Sequence, residues 1–311
     1  MAVQPDGSLF ISNEVKMLFY KYTKIDFNFL DMLDKEYLYC SETKYFDDIF
    51  DGKMPFDQIN TVTFENVKKI LSEEGNYFYS MRGLDKEEIL DEIGRMMKEI
   101  DLSDVTSTSE DSQEPSQNEI DLNTFANKIE NFFSRENVVN DFQKILKLLF
   151  KMQDSLRVCS LSISNKNPIL WSMYADNFKG ACIAYDLLIE DLHKVKYGER
   201  YSFDPLFEIM MAYYYKKDID NEYLKIILTN LVLTKASPWE FQEEYRYIKY
   251  NKNPEDIEGN KTKCKIKNIY LGFKVPKEKS DLIVSKFKDK FDIFDMEVDH
   301  YNQNFSFNKI N

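Results

Sequence analysis

LRVCSLSISNKNPILWSMYADNFKGACIAYDL, residues 156–187, decides the fold class. Its first nine residues alternate apolar and polar side chains, which predicts a strand. Asn167 followed by Pro168 predicts a helix start, because proline presets φ there and its missing N–H would be unpaired in a first turn anyway. A short helix through NPILWSMYAD is expected. Gly180 ends the loop after it, and ACIAYDL is apolar enough for a buried strand. Strand, short helix and strand in immediate succession imply an α+β chain.

Reading outward gives more strands from distant parts of the chain. Upstream, VKMLFYKYT (15–23) and YLYCSE (37–42) read as strands around a short helix, FNFLDMLDKE. The acidic stretch YFDDIFDGK (45–53) reads as a loop crossing the surface. Downstream, HKVKYGE reads as a strand ending in a turn, and 205–234 as a helical block. FQEEYRYIKY (241–250), CKIKNIYLGF (264–273) and FDIFDMEVDH (291–300) are strands, with the helix KEKSDLIVSKFKDKF before the last. Between the early and late strands lie helical patterns at 63–75, 84–101, 123–133 and 137–155. A Ser-, Thr-, Gln- and acid-rich flexible loop, 102–119, interrupts them. The expected fold is α+β, with a mixed central sheet from 1–62 and 154–311 and an all-helical insertion at 63–153.

The 311 residues suffice for a core without staples, and 24 Phe with 20 Tyr make that core or a cleft aromatic. A net charge of -13 opposes phosphate backbones and disfavours non-specific nucleic-acid binding. With only 2 His and 4 scattered Cys, a zinc site lacks ligands and Ser-His-Asp or Cys-His mechanisms are poorly supplied. No Walker A or Rossmann glycine pattern is present. The start, MAVQPDGSLFISNE, lacks a signal-peptide pattern, and the most apolar stretch, 226–233, is short. Cytoplasmic location, reduced thiols and no membrane partner are therefore expected.

Several clusters carry candidate chemistry. On a strand, Gln242, Glu244 and Arg246 share a face. That face is either a solvated edge or a site where Glu244 is held at a cleft. In the latter case Gln242 positions a ligand and Arg246 ties Glu244 or binds phosphate. Trp171 and Tyr174 share a helix face; Trp171 suits the core, and Tyr174 can stack on a nicotinamide or a base. Lys21, flanked by Tyr20 and Tyr22, is either an edge-strand gatekeeper or a phosphate or ribose contact. Asp47, Asp48 and Asp51 before Lys53 form an ordinary acidic turn or a Mg²⁺ site of a nuclease. Residues 261–290 hold ten Lys against three acids, which makes a solvated helix face or a docking patch for an acidic partner or nucleic acid.

LFYKYT (18–23), YCSETKYFDDIFD (39–51), LWSMYADNFKG (170–180) and WEFQEEYR (239–246) together resemble an uncharacterised bacterial domain family met in mobile and phage-defence neighbourhoods. Its pattern is L-Y-K-Y, a strand ending in Ser before N-D-P-F-D, L-W-x-x-Y-A-x-x-x-x-G, and W-x-x-E-x-E-x-R. Here DDIFD replaces N-D-P-F-D, and Gln242 replaces the first Glu of the last motif. That family is in turn similar in layout to ADP-ribosyltransferases. The resemblance implies a split sheet, NAD as substrate and no metal. It assigns catalysis to Glu244 and Gln242. Lys21 (where His or Arg is usual), Tyr22, Ser41, Trp171, Tyr174 and Arg246 would contact the dinucleotide.

The function so implied is an ADP-ribosyltransferase-like or NAD-cleaving effector of phage defence or toxin type, with a protein or nucleic acid as acceptor. Two other readings stay open. One is a non-catalytic nucleotide- or protein-binding sensor module of a defence system. The other is a metal-dependent nuclease.

Overall fold

The computed structural model describes residues 15–48, 50–53, 62–67, 135–198, 205–214 and 216–310. By its contacts the chain divides into two units, Met1–Lys53 with Met152–Arg200 and Lys225–Asn311, and Met54–Lys151 with Tyr201–Leu224. The described strands are β1 (Lys16–Thr23), β2 (Tyr37–Tyr39), β3 (Leu156–Ser162), β4 (Ala181–Leu188), β5 (Leu192–Lys194), β6 (Lys196–Gly198), β7 (Thr234–Ala236), β8 (Glu244–Tyr250), β9 (Lys261–Lys263), β10 (Lys265–Leu271), β11 (Asp292–Asp299) and β12 (Asn304–Lys309). The described helices are α1 (Phe27–Lys35), α2 (Glu136–Gln153), α3 (Pro168–Tyr174), α4 (Pro205–Tyr214), α5 (Asn221–Val232) and α6 (Lys277–Phe287).

The first unit is mixed α+β. Its eight-stranded sheet runs β12-β11-β10-β4-β1-β3-β8-β5, and β2-β9 and β6-β7 form two small sheets. Within the large sheet β10 and β11 are parallel, and α6 supplies the crossover that a parallel pair needs. The apolar run ACIAYDL becomes the central strand β4, and its alternating side chains feed two cores. Ile183 and Tyr185 join Phe19, Phe29, Leu33 and Phe287 in one core, while Cys182 and Ala184 join Leu170, Trp171 and Tyr270 in the other. Each fully buried Phe or Ile contributes about 1.5–3 kcal/mol of transfer free energy.

Pairing is uneven across this sheet. β1 pairs with β4 from Lys16↔Leu188 to Thr23↔Ala181, and β3 with β8 from Leu156↔Tyr250 to Ser162↔Glu244. Between β1 and β3 the register holds a single pair, Tyr20↔Ser162. The strands diverge along this seam, and a cleft opens there.

The strand order overturns two edge readings. β1 lies between β4 and β3, and β8 between β3 and β5, so neither Lys21 nor the Glu244 face is on a solvated edge. β8 also starts later than expected, because Ser237–Gln242 forms a 3-10 turn that ends at Glu243 in the left-handed region, φ 45°. The second strand shortens to β2, with Ser41 making only a bridge to Val158. The strand expected after His193 breaks into β5 and β6. β12 was not expected.

In the second unit α2 buries Val138, Phe142 and Leu146, and the Tyr213 hydroxyl donates to Asp141 Oδ2 at 3.1 Å. The helix expected over 63–75 is described only at its start, where Thr63 Oγ1 accepts from the Asn66 N–H at 3.2 Å. The helices at 84–101 and 123–133 and the loop 102–119 lie outside the described residues.

Part of the Lys-rich stretch makes intramolecular contacts at the surface. Lys263 and Lys290 donate to the Lys35 and Asp34 carbonyls at 2.9 and 2.8 Å, and Lys261 pairs with Glu258 at 2.8 Å.

After α3 the chain turns through three left-handed residues, Asp176, Asn177 and Phe178, at φ 48°, 51° and 67°. Left-handed backbone costs about 1–2 kcal/mol per non-glycine residue, so neighbours must enforce it. They do. Phe178 N–H donates to the Trp171 carbonyl at 3.2 Å, its ring stacks on Trp171 at 6.3 Å, and Gly180 N–H donates to the Ala175 carbonyl at 2.7 Å. A Cβ on Gly180 would stand 2.8 Å from the Ala175 carbonyl oxygen and collide with the Thr23 carbonyl. Gly180→Ala is therefore expected to destabilise the protein by about 1–3 kcal/mol, read as a lower urea midpoint. An unshifted midpoint would mean the turn relaxes freely.

Candidate functional site

The cleft at the β1/β3 seam has a volume of ≈ 220 Å³ and lies within the first unit. β1 contributes Tyr20, Lys21 and Tyr22, and β3 contributes Ser160 and Ser162. Ser41 and the acidic loop, with Asp47, Asp48 and Asp51, close a second side. Tyr174 comes from the end of α3. Lys235, Trp239, Gln242 and Glu244 come from β7, the 3-10 turn and the first residue of β8. The helix start is fixed locally: Asn167 Oδ1 accepts from the Ile169 and Leu170 N–H groups at 3.0 and 3.2 Å. Its Nδ2 donates to the Phe241 carbonyl at 2.6 Å, which ties α3 to the segment carrying Gln242.

Glu244 is 3% exposed and belongs to a quartet of buried charges. Its Oε1 accepts from Arg246 Nε at 2.6 Å and its Oε2 from Lys235 Nζ at 2.9 Å. Arg246 also forks onto Asp51, with Nη1 to Oδ1 at 2.8 Å and Nη2 to Oδ2 at 2.5 Å, and Nη1 donates to the Val232 carbonyl. Lys235 Nζ lies 3.3 Å from Asp51 Oδ2. Two cations face two carboxylates, and among the described residues no buried side-chain polar atom lacks a partner. That satisfaction is what makes burying four charges tolerable.

Burial alone would raise the Glu244 carboxyl, but Arg246 and Lys235 overrule it and hold it at about 2. Burial would lower the Arg246 guanidinium, yet Glu244 and Asp51 raise it. The sign of the linkage follows. A carboxyl depressed in the folded protein stabilises it above its ordinary value of 4.5, and that stabilisation is lost as pH falls toward about 2. The urea midpoint should therefore drop between pH about 5 and about 3, with a shallower drop in Glu244→Gln. Equal slopes would remove Glu244 from the linkage.

Beyond the quartet, Lys235 Nζ donates to Gln242 Oε1 at 2.8 Å, and Gln242 Nε2 donates to the Tyr174 hydroxyl at 3.0 Å. Burial and the nearby Asp47 carboxylate push the Tyr174 phenol up to about 12, so it stays protonated at neutral pH. On the other side of Glu244, Ser160 helps to hold its carboxyl low, and Lys21 Nζ donates to the Ser160 carbonyl at 3.3 Å. Glu244 is thus linked through Lys235 and Gln242 to the Tyr174 hydroxyl.

Of the residues singled out from sequence, Lys21, Tyr22, Ser41, Tyr174, Gln242 and Glu244 line this one cleft. Two do not. Trp171 is fully buried behind it, edge-on to Tyr22 at 5.4 Å, with its indole N–H donating to the Asn165 carbonyl at 2.8 Å. It is a core residue, not a ligand contact. Arg246 is fully buried too, and its fork is taken by Asp51 and Glu244, so it ties carboxylates rather than binding phosphate. The acidic stretch does not cross the surface freely, since Asp51 is buried on Arg246. Lys53 Nζ reaches the Thr43 carbonyl at 3.3 Å. Among the described residues no group of three or more His, Cys, Asp or Glu is arranged to hold a metal.

Sequence reasoning missed Lys235, Trp239, Ser160 and Tyr197, whose hydroxyl accepts from the Glu244 N–H at 2.9 Å. For Lys235 a signal existed: in LVLTKASPW a lysine stands one threonine beyond an apolar run, where a charge needs a partner.

Among the described residues no helix is long and apolar enough to cross a membrane. No protein-family model, curated protein or solved structure matches the chain.

Proposed function

We propose that the cleft binds NAD and breaks its nicotinamide–ribose bond, as ADP-ribosyltransferase-like enzymes and NAD-cleaving effectors of defence or toxin type do. The observation that carries this reading is the convergence of Lys21, Tyr174, Gln242 and Glu244, from three remote segments, on a single aromatic-walled cleft. A sheet joined across β1 and β3 by one residue pair supports the split-sheet layout of such enzymes.

The chemistry suits the residues. When the C1′–N1 bond breaks, its electron pair stays on N1 and nicotinamide leaves neutral, so no acid is needed. The ribose carbon becomes cationic, as in glycoside cleavage. A carboxylate kept ionised and locked by two cations is preorganised to face that charge. Tyr174 supplies a ring for the nicotinamide, Asp47 and Asp48 favour its cationic form, and Lys21 with Ser41 and Ser162 suits phosphate and ribose oxygens. Water or an acceptor then adds at C1′ and releases one proton.

One observation favours a second reading, a non-catalytic sensor module for a nucleotide: the quartet's charges cancel, and both Glu244 oxygens are already engaged. Incubation of the full chain with NAD separates the two. Nicotinamide release supports cleavage; saturable NAD binding with no release overturns it in favour of the sensor. The nuclease reading is weakened by Asp51, whose oxygens are taken by Arg246 and Lys235. Protein or nucleic-acid acceptors would approach over the acidic loop or the lysines of 261–290.

A further inference from the structure

Lys235 is 9% exposed, lies on the short strand β7, and touches three polar groups of the site at once. The directions of these hydrogen bonds follow from what each group can do. An ammonium only donates, so the atom of Gln242 that meets Lys235 at 2.8 Å is its carbonyl oxygen. The amide NH₂ must then be the end that meets the Tyr174 hydroxyl at 3.0 Å. Tyr174 accepts there and keeps its single proton for a further acceptor. A lysine at this position therefore orders a run of donors from Lys235 through Gln242 to Tyr174. Among the described residues, Gln242 Nε2 donates to the Tyr174 hydroxyl alone.

We propose that Lys235 is the positioning residue of the site: it fixes the Gln242 amide with its oxygen on Lys235 and its NH₂ on Tyr174, so that a ligand beside Glu244 meets a donor and must present an acceptor oxygen. A ribose hydroxyl or a carboxamide oxygen meets that demand; a donor-only group such as an ammonium does not. Without the lysine, the amide is free to turn over and offer its oxygen instead. The same ammonium keeps Glu244 an anion, so orientation and charge are set by one side chain.

The kinetic part of this inference rests on the NAD-cleaving reading; the ligand-free part does not. Lys235→Met keeps the stem and removes the charge, and Lys235→Arg keeps the charge and changes the geometry. In carboxyl ¹³C NMR of the ligand-free protein, Glu244 should titrate about one pH unit or more higher in Lys235→Met. Side-chain ¹⁵N signals of Gln242 should move in both variants. In nicotinamide release from NAD, kcat should fall about a hundredfold in Lys235→Met through misplacement.

Folded Lys235→Met with an unchanged Glu244 titration, unchanged Gln242 signals and wild-type kcat overturns the assignment. Should Lys235→Met not fold, Lys235→Arg decides: a Glu244 titration kept low with displaced Gln242 signals supports the inference, and unmoved Gln242 signals overturn it. Displaced NMR signals alongside a wild-type protein that releases no nicotinamide leave Lys235 in its role and remove NAD cleavage instead.

Discussion

On the proposed NAD cleavage, Glu244→Gln should slow nicotinamide release by about 10²–10³-fold, the usual consequence of removing one preorganised electrostatic stabiliser. The substitution keeps the shape and replaces an anion by a neutral amide. The developing charge on the ribose carbon then faces no full negative charge, while Arg246 and Lys235 remain in place behind it. The loss should fall on kcat more than on KM, because the ribose carries this charge in the transition state and not in bound NAD. A folded Glu244→Gln protein that matches the wild-type rate would exclude Glu244 as the stabilising group. Tyr174→Phe is the companion measurement: it retains the ring and should act mainly on KM.

The second large effect is on stability. Arg246→Leu should destabilise the protein by about 3–5 kcal/mol, because it strands Asp51 and Glu244 in the interior with one lysine between them. For a chain of this size the melting temperature should drop on the order of 10 °C. Arg246→Lys should recover only part of the loss, since an ammonium cannot reproduce the fork that spans Asp51 while Nε holds Glu244. A melting curve unchanged by Arg246→Leu would show that this network contributes no net stability.

What the sequence made legible follows the range of each interaction. α3 and β4 are written in local signals, a capping Asn167, Pro168 at the first helical position and an unbroken apolar run, and all three act within a few residues. The Gln242–Glu244–Arg246 constellation was legible as costly to bury. Its centre was not, because Lys235 lies seven and nine residues before Gln242 and Glu244 and meets them only through the intervening turn. Strand order was hidden for the same reason. Whether Lys21 stands at an edge or in the middle of a sheet depends on β3 and β4, which follow far downstream. Asp51 reads as solvated in its acidic neighbourhood, and only the distant Arg246 makes it a buried group. β12 carries Phe305 and Phe307 in alternation, a strand signal diluted by the asparagines around it.

Asp51 and Arg246 are 195 positions apart. At about 5–20 residues per second of synthesis, the acidic loop waits roughly 10–40 s on the ribosome before its guanidinium partner is made. Until β8 emerges, the carboxylate wall of the cleft does not exist. On the proposed NAD cleavage, nascent chains and fragments that stop short of residue 246 should therefore be inert toward NAD, since they lack both Glu244 and the guanidinium that orders Asp51.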